Sequence, residues 1–202
     1  MTEELNSRTF YIFPLTNVNL FPFTTKPLHI FEPRYIEMVN RSIKSGTPIA
    51  LCFVPEGTSE IRPIAGFAVP QLIERRIDQT LLVFMGGEGK VRLNLESIHT
   101  EDLVSTMTGT VISENLDLDG EVKAKYISLN EVLVRWITQH ISDPMQKNVF
   151  IKNLIGPREV VGAFAAYLVY DYDIQYEIME LTSIADQIDF LYRLLQSGRL
   201  TR

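Results

Sequence analysis

The chain has 202 residues, of which 46% are hydrophobic and 22% charged, a balance that supports a packed core and excludes a disordered chain. Its formal charge of -6 leaves no basic excess to neutralise phosphates, so nucleic-acid binding is not expected. A single cysteine, Cys52, excludes an intrachain disulfide, and no run approaches the roughly 20 apolar residues of a membrane span.

The first residues, Met1–Asn6, are acidic and polar and lack the basic start and apolar run of a signal peptide, so the expected compartment is the cytoplasm. Thr9 to Leu15 is aromatic and β-branched and predicts a strand broken by Pro14. Pro27 and Pro33 bracket a short strand. A helix follows, with Glu32 at its N-cap, Pro33 at its first position, an apolar face of Tyr35, Val39 and Ile43, and Gly46 as its stop. Ile49 to Val54 reads as a buried strand holding an inert Cys52 thiol. Leu81 to Met85 and the alternating Val91, Leu93 and Leu95 read as two strands, with Gly86-Gly87-Glu88-Gly89 as a hairpin turn between them. Val104 to Ile112 is a further strand.

The period then changes. Glu114 to Gly120 reads as a linker, which divides the chain into a β-rich part, residues 1–118, and a helical part, residues 119–202. Val122, Tyr126, Leu129, Leu133, Trp136, Ile137 and His140 share one helical stripe, so Trp136 is expected in the core and His140 as a hydrogen-bonded core histidine. Ser142-Asp143-Pro144 and Gly156-Pro157 each end one helix and open another. Thr182 or Ser183 caps a last helix with Ile184, Ile188, Leu191, Leu194 and Leu195 inward, ended by Gly198.

The candidates for chemistry fall short. Gly86 to Lys90 has Phe84 where a phosphate loop needs its first glycine, and a strand follows rather than a helix. Asn115-Leu116-Asp117-Leu118-Asp119-Gly120 fits half of a calcium loop, but Tyr126 stands where a bidentate glutamate is required. A helix-opening turn explains the same acids. His29, His99 and His140 have no second ligand at metal-binding spacing. No Gly-x-Ser-x-Gly elbow is present. No catalytic residue, metal or cofactor is expected.

One region is specific. Pro14-Leu15, Phe21-Pro22 and Pro27-Leu28-His29-Ile30-Phe31-Glu32-Pro33-Arg34-Tyr35 resemble the opening of the Lon protease N-terminal (substrate-binding) domain family. Ala65-Gly66-Phe67-Ala68, Leu82 to Leu93 and the helical half resemble it more loosely. The resemblance implies an α+β fold, a PUA-like twisted β-barrel followed by an α-helical bundle. It also implies a non-catalytic module that binds unfolded or exposed polypeptide segments, with a link to ATP-dependent proteolysis. The chain lacks a Walker motif and any room for the ATPase and Ser–Lys protease modules of full Lon proteases. It closes on Gly198-Arg199-Leu200-Thr201-Arg202, which reads as a free-standing member. Expected partners are polypeptides or partner proteins, with homo-oligomerisation open. An assembly or adaptor module, and a PUA-like nucleic-acid binder, are the alternative readings.

Within the nine-residue motif, Leu28, Ile30, Phe31 and Tyr35 are expected to supply core, and Arg34 to pair with Glu32 or with the sheet. Thr16 to Lys26 sets Leu20, Phe21 and Phe23 among Asn, Thr and Pro, a composition typical of surface loops. The expected binding residues are therefore Phe21, Phe23, Glu32 and Arg34, with Phe21 and Phe23 exposed.

Overall fold

A computed structural model describes residues 7–198 and residue 200. The N-terminal Met1–Asn6, and Arg199, Thr201 and Arg202 of the closing segment, lie outside the described residues. The chain divides into two units, Met1–Ile112 and Ser113–Arg202. The sequence reading sets this division slightly later, after residue 118.

The first unit contains β1 (Ser7–Leu15), β2 (Thr25–Ile30), α1 (Pro33–Ser45), β3 (Ile49–Phe53), β4 (Ile64–Ala68), β5 (Gln71–Arg75), β6 (Leu81–Gly86), β7 (Gly89–Leu93), β8 (His99–Glu101) and β9 (Val104–Val111). One sheet runs β1-β3-β4-β7-β9-β8, and β1 also pairs with β9, so five of its strands close into a ring. β1 and β3 are parallel and the other neighbours antiparallel. A second sheet runs β2-β6-β5.

Alternation along the ring strands feeds two cores. Phe10, Ile12, Ala50, Cys52, Ala65, Phe67, Val91, Leu93 and Met107 form a cluster that draws on all five ring strands and fills the ring. Phe13, Ile49, Leu51 and Ala68 point the other way. There they meet Met38 and Val39 of α1, Ile30 of β2 and Leu81, Val83 and Met85 of β6. With apolar matter on both faces, β3 is buried throughout. Its Cys52 thiol is pushed by burial up to about 12 and is no nucleophile at neutral pH. α1 begins at Pro33 and ends on Gly46 at φ 72°, the left-handed stop that glycine supplies without a Cβ penalty.

The Gly86 to Gly89 turn is not a hairpin, which corrects the sequence reading. β6 pairs with β2 and β5, whereas β7 pairs with β4 and β9. The chain changes sheets here because its backbone groups are taken by other segments. Gly87 N–H donates to Thr24 O and Glu88 N–H to Phe67 O, while Glu88 Oε1 accepts from Val69 N–H.

The second unit contains α2 (Gly120–His140), α3 (Pro144–Lys152), α4 (Pro157–Leu168), α5 (Tyr172–Glu180) and α6 (Ile184–Gln196). Asp119, Asp143, Asp171 and Ser183 each cap one of α2, α3, α5 and α6 by accepting a backbone N–H of its first turn, which satisfies donors that no helical carbonyl can reach. α5 has no counterpart among the sequence-predicted helices. α2 packs on α4 and α6, with Val122, Leu129, Leu133 and Ile137 of α2 buried. Val160 and Phe164 of α4 and Ile188 and Leu191 of α6 are buried as well. The segment before α2 is tied down rather than slack. Asn115 N–H donates to Thr182 O, Ile184 N–H donates to Asn115 O, and Glu114 Oε1 accepts from Gln187 Nε2 at 3.0 Å.

Candidate functional site

The segment between β1 and β2 is fixed by close backbone approach. A Cβ on Gly66 would strike the Leu20 carbonyl, and one on Gly87 the Phe21 carbonyl, so only glycine lets the segment lie this close. Phe21 O accepts from Thr24 Oγ1 at 2.7 Å, and Phe23 N–H donates to Gly87 O at 2.8 Å. Leu20 and Phe21 are thereby driven inward, and Phe21 is only 2% exposed. The expectation of a surface Phe21 is corrected: its turn-like neighbours pin it into the core. Phe23 behaves oppositely. It sits at φ 61° with 48% of its surface exposed. A non-glycine residue there costs about 1–2 kcal/mol and is held only because the surrounding hydrogen bonds determine it.

The outer face of the three-stranded sheet carries further apolar groups. Thr25, Pro27 and His29 alternate outward along β2. Pro27 is the register partner of Phe84, and His29 of Leu82. The Phe31 ring stands 6.2 Å from His29. Phe31 is 65% exposed and Phe84 38%, so Phe31, expected in the core, is corrected to the surface. His29 Nε2 lies 3.0 Å from Thr80 Oγ1. Because that hydroxyl donates to Asp78 Oδ1 at 2.8 Å, the imidazole is the donor. The bonds from Thr80 hold the Asp78 carboxyl below its ordinary range.

Glu32 and Arg34 lie beside Phe31 in sequence. Glu32 occupies the N-cap of α1 without a side-chain cap bond. Its carboxylate turns to Arg34, 2.8 Å from Nη2, and the guanidinium lies 4.6 Å over the Tyr35 ring. Tyr35 packs at 4.4 Å on Phe13, and burial raises its hydroxyl above the usual range. The cation is thus held by a carboxylate and a ring while both charged groups stay accessible. All five residues of β5, the margin of this sheet, are exposed. The sequence reading had no strand there.

In the second unit, Trp136 is half-buried and His140 exposed, so neither is the core residue that the helical stripe predicts. Position on a stripe fixes the direction of a side chain, not whether another helix covers it. His140 Nδ1 lies 2.9 Å from Trp136 O, and its ring stacks on the indole at 4.6 Å. These two residues border an open groove of about 500 Å³ together with Met145, Val149, Phe150 and Tyr167. Sequence reasoning missed it. The available signal was the apolar content of Pro144–Lys152 with no second apolar layer to cover it.

Asp119 and Asn115 of the calcium-like segment spend their oxygens on Val122 N–H and Asp117 N–H. Among the described residues, no three of His, Cys, Asp and Glu gather as a metal site, and no helix is long and apolar enough to cross a membrane.

A family model described as the ATP-dependent protease La (LON) substrate-binding domain matches residues 9–197. No curated protein matches the chain. Among solved structures it is similar to a Lon N-terminal domain protein from Xanthomonas campestris, with 15% identity and a TM-score of 0.67 over 94% of this chain and 98% of that one. It is also similar to the N-terminal domain of the Mycobacterium avium complex Lon protease, with 13% identity and a TM-score of 0.69 over the same shares. At such identities the likeness carries the fold.

Proposed function

Because the chain belongs to the Lon substrate-binding domain family, we propose that it recognises exposed polypeptide segments on the outer face of the β2-β6-β5 sheet and carries out no chemistry of its own. The observation that carries this reading is the pair of exposed aromatics Phe31 and Phe84 at the outer face of a sheet whose other face is core, with Phe23 exposed in the segment that leads into β2. A rigid apolar face of this kind gains free energy from covering, at about 25 cal/mol per Å². Of the predicted residues, Phe23, Glu32 and Arg34 remain in the proposed site, and Phe21 is replaced by Phe31 and Phe84.

An extended segment has an edge to pair with. Pro27 removes a donor from β2, one margin of the sheet, and discourages strand addition there. β5, the other margin, contains no proline and offers its backbone groups to an incoming strand. The Arg34–Glu32 pair gives polar contacts at one end of the aromatic face. Affinity is modest, because ordering a flexible chain costs about 2–5 kcal/mol. The buried Cys52 supports the non-catalytic part of the reading. A cytoplasmic setting and a role beside ATP-dependent proteolysis belong to the same proposal.

The test is binding to a reduced and alkylated, permanently unfolded model protein. Wild type is expected to bind, and Phe31→Ser, Phe23→Ser and Arg34→Ala to weaken binding with unchanged circular dichroism. Folded variants that bind as well as wild type, or a wild type that binds no polypeptide, would overturn the reading.

A further inference from the structure

We propose that His29 is a specificity-determining residue of the β2-β6-β5 face: uncharged, it admits segments bearing lysine or arginine, and protonated, it turns them away in favour of segments bearing aspartate or glutamate. This role rests on polypeptide docking at that face and adds the chemistry of the segment that docks.

The first observation is position. His29 is exposed and points outward on β2 in line with Thr25 and Pro27. Its register partner on β6 is Leu82, so Phe84, two residues on, stands diagonal to it, within reach of a long side chain. The Phe31 ring lies 6.2 Å away. A segment that covers both exposed aromatics therefore also meets the imidazole.

The second observation is which nitrogen is free. Nε2 donates to Thr80 Oγ1 at 3.0 Å, and that hydroxyl donates to Asp78 Oδ1 at 2.8 Å. The relay fixes the tautomer and leaves Nδ1 without a partner among the described residues. The proton gained in acid thus goes to Nδ1. That atom is a hydrogen-bond acceptor while the ring is neutral and a charged donor afterwards. A lysine or arginine side chain can donate to the first state and is repelled by the second, whereas a carboxylate can bond only the second.

The surroundings keep their charge while the imidazole changes its own. The bonds from Thr80 hold the Asp78 carboxyl below its ordinary range, so it stays ionised between about pH 5 and 8, the window in which histidine titrates. On β2, Lys26 stands opposite Met85 in register and belongs to the core side. β6 carries no charged residue. On β5, Glu74 stands across Leu82 from His29 and pairs with Arg76 at 3.6 Å, whereas Arg75 donates to Asn40 of α1. Ahead of and within α1, Glu32 and Arg34 hold each other at 2.8 Å. Among these groups, only His29 is of a type that changes charge in that window.

The probes are two synthetic unfolded peptides with the same leucine and phenylalanine positions, one bearing lysine and the other glutamate at the positions between. Their affinities are compared at about pH 7.5 and about pH 5.5, at both of which glutamate is ionised. In wild type the ratio of lysine-peptide to glutamate-peptide affinity is expected to fall about two- to five-fold on acidification, the worth of one exposed charge contact. His29→Gln keeps a donor for Thr80 without a charge, and its ratio should be the same at both pH values. His29→Arg should show the acid-state ratio at both. His99→Gln, on β8 of the other sheet, should behave as wild type. Both positions are exposed, and circular dichroism of each variant should match wild type. A wild-type ratio unchanged by pH, or a fall of equal size in His29→Gln, overturns the role of His29 and leaves sheet-face docking standing. A wild type that binds neither peptide at either pH overturns that docking, and this role with it.

Discussion

Phe23 and Val149 are each about half exposed, yet they are held in unlike ways. Phe23 belongs to a segment without helix or strand, but its neighbours are locked by backbone hydrogen bonds and by two glycines that admit no side chain. Val149 belongs to a regular helix none of whose residues is fully buried. Regular structure and rigidity therefore separate in this molecule. The irregular segment is the more firmly held, because Phe23 and Thr24 exchange backbone hydrogen bonds with Gly87 between β6 and β7. The helix relies on its ends and on one-sided packing against α2. A stiff display loses little entropy on binding.

The comparison breaks first at the buried side of the irregular segment. Phe21→Ala is expected to cost about 3–5 kcal/mol, read as a lowered midpoint in urea unfolding; a loss of under about 1 kcal/mol would show the segment to be loosely attached. Gly87→Ala is expected to cost about 1–3 kcal/mol, because the new Cβ must displace the Phe21 carbonyl. It should also reduce polypeptide binding by releasing Phe23. Asp143→Ala removes the cap of α3 and should cost about 1 kcal/mol. Hydrogen exchange should show α3 amides losing protection while the amides of α6 keep theirs. A uniform loss across both helices would mean that α3 is integral to the bundle after all. Phe23→Gly should have the smallest effect on stability, neutral or stabilising by up to about 1 kcal/mol through relief of the left-handed strain, while polypeptide binding weakens. A Phe23→Gly protein less stable than wild type would place the ring among structural groups.

The sequence made parts of this arrangement legible. Gly46, Pro33 and the spacing of Tyr35 and Val39 mark α1 because capping is chemically local. Asp143-Pro144 and Gly156-Pro157 mark the starts of α3 and α4 for the same reason. The change from alternating to helical spacing separates the two units. What escaped depends on contacts distant in sequence. Phe21 has the neighbours of a surface residue and is buried because Gly87, far along the chain, lets the backbones meet. The Gly86 to Gly89 turn has hairpin composition, but which strands its flanks join is decided by Thr24 and Phe67. Trp136 lies on the expected stripe, one side of which no helix of this unit fills. β5 was missed because all its residues are exposed, so it shows no alternation. Of the expected site, the Glu32–Arg34 pair and the exposure of Phe23 follow from the nine-residue motif and its preceding loop. Phe84 could not, since only pairing with Pro27 brings it to that face.

The pairing of β1 with β9 joins residues at the two ends of the first unit, with Ser7 opposite Thr110. Such a closure is non-local, and it makes assembly of the barrel slow relative to the helical unit, whose contacts lie closer along the chain. Until β9 is in place, β1 and β7 each present an open margin, with fully apolar β3 and β4 alongside. Unpaired margins of this kind recruit strands from other chains. During synthesis, then, the segment most exposed to aggregation is the incomplete barrel, and the last strand of the ring is what ends that exposure.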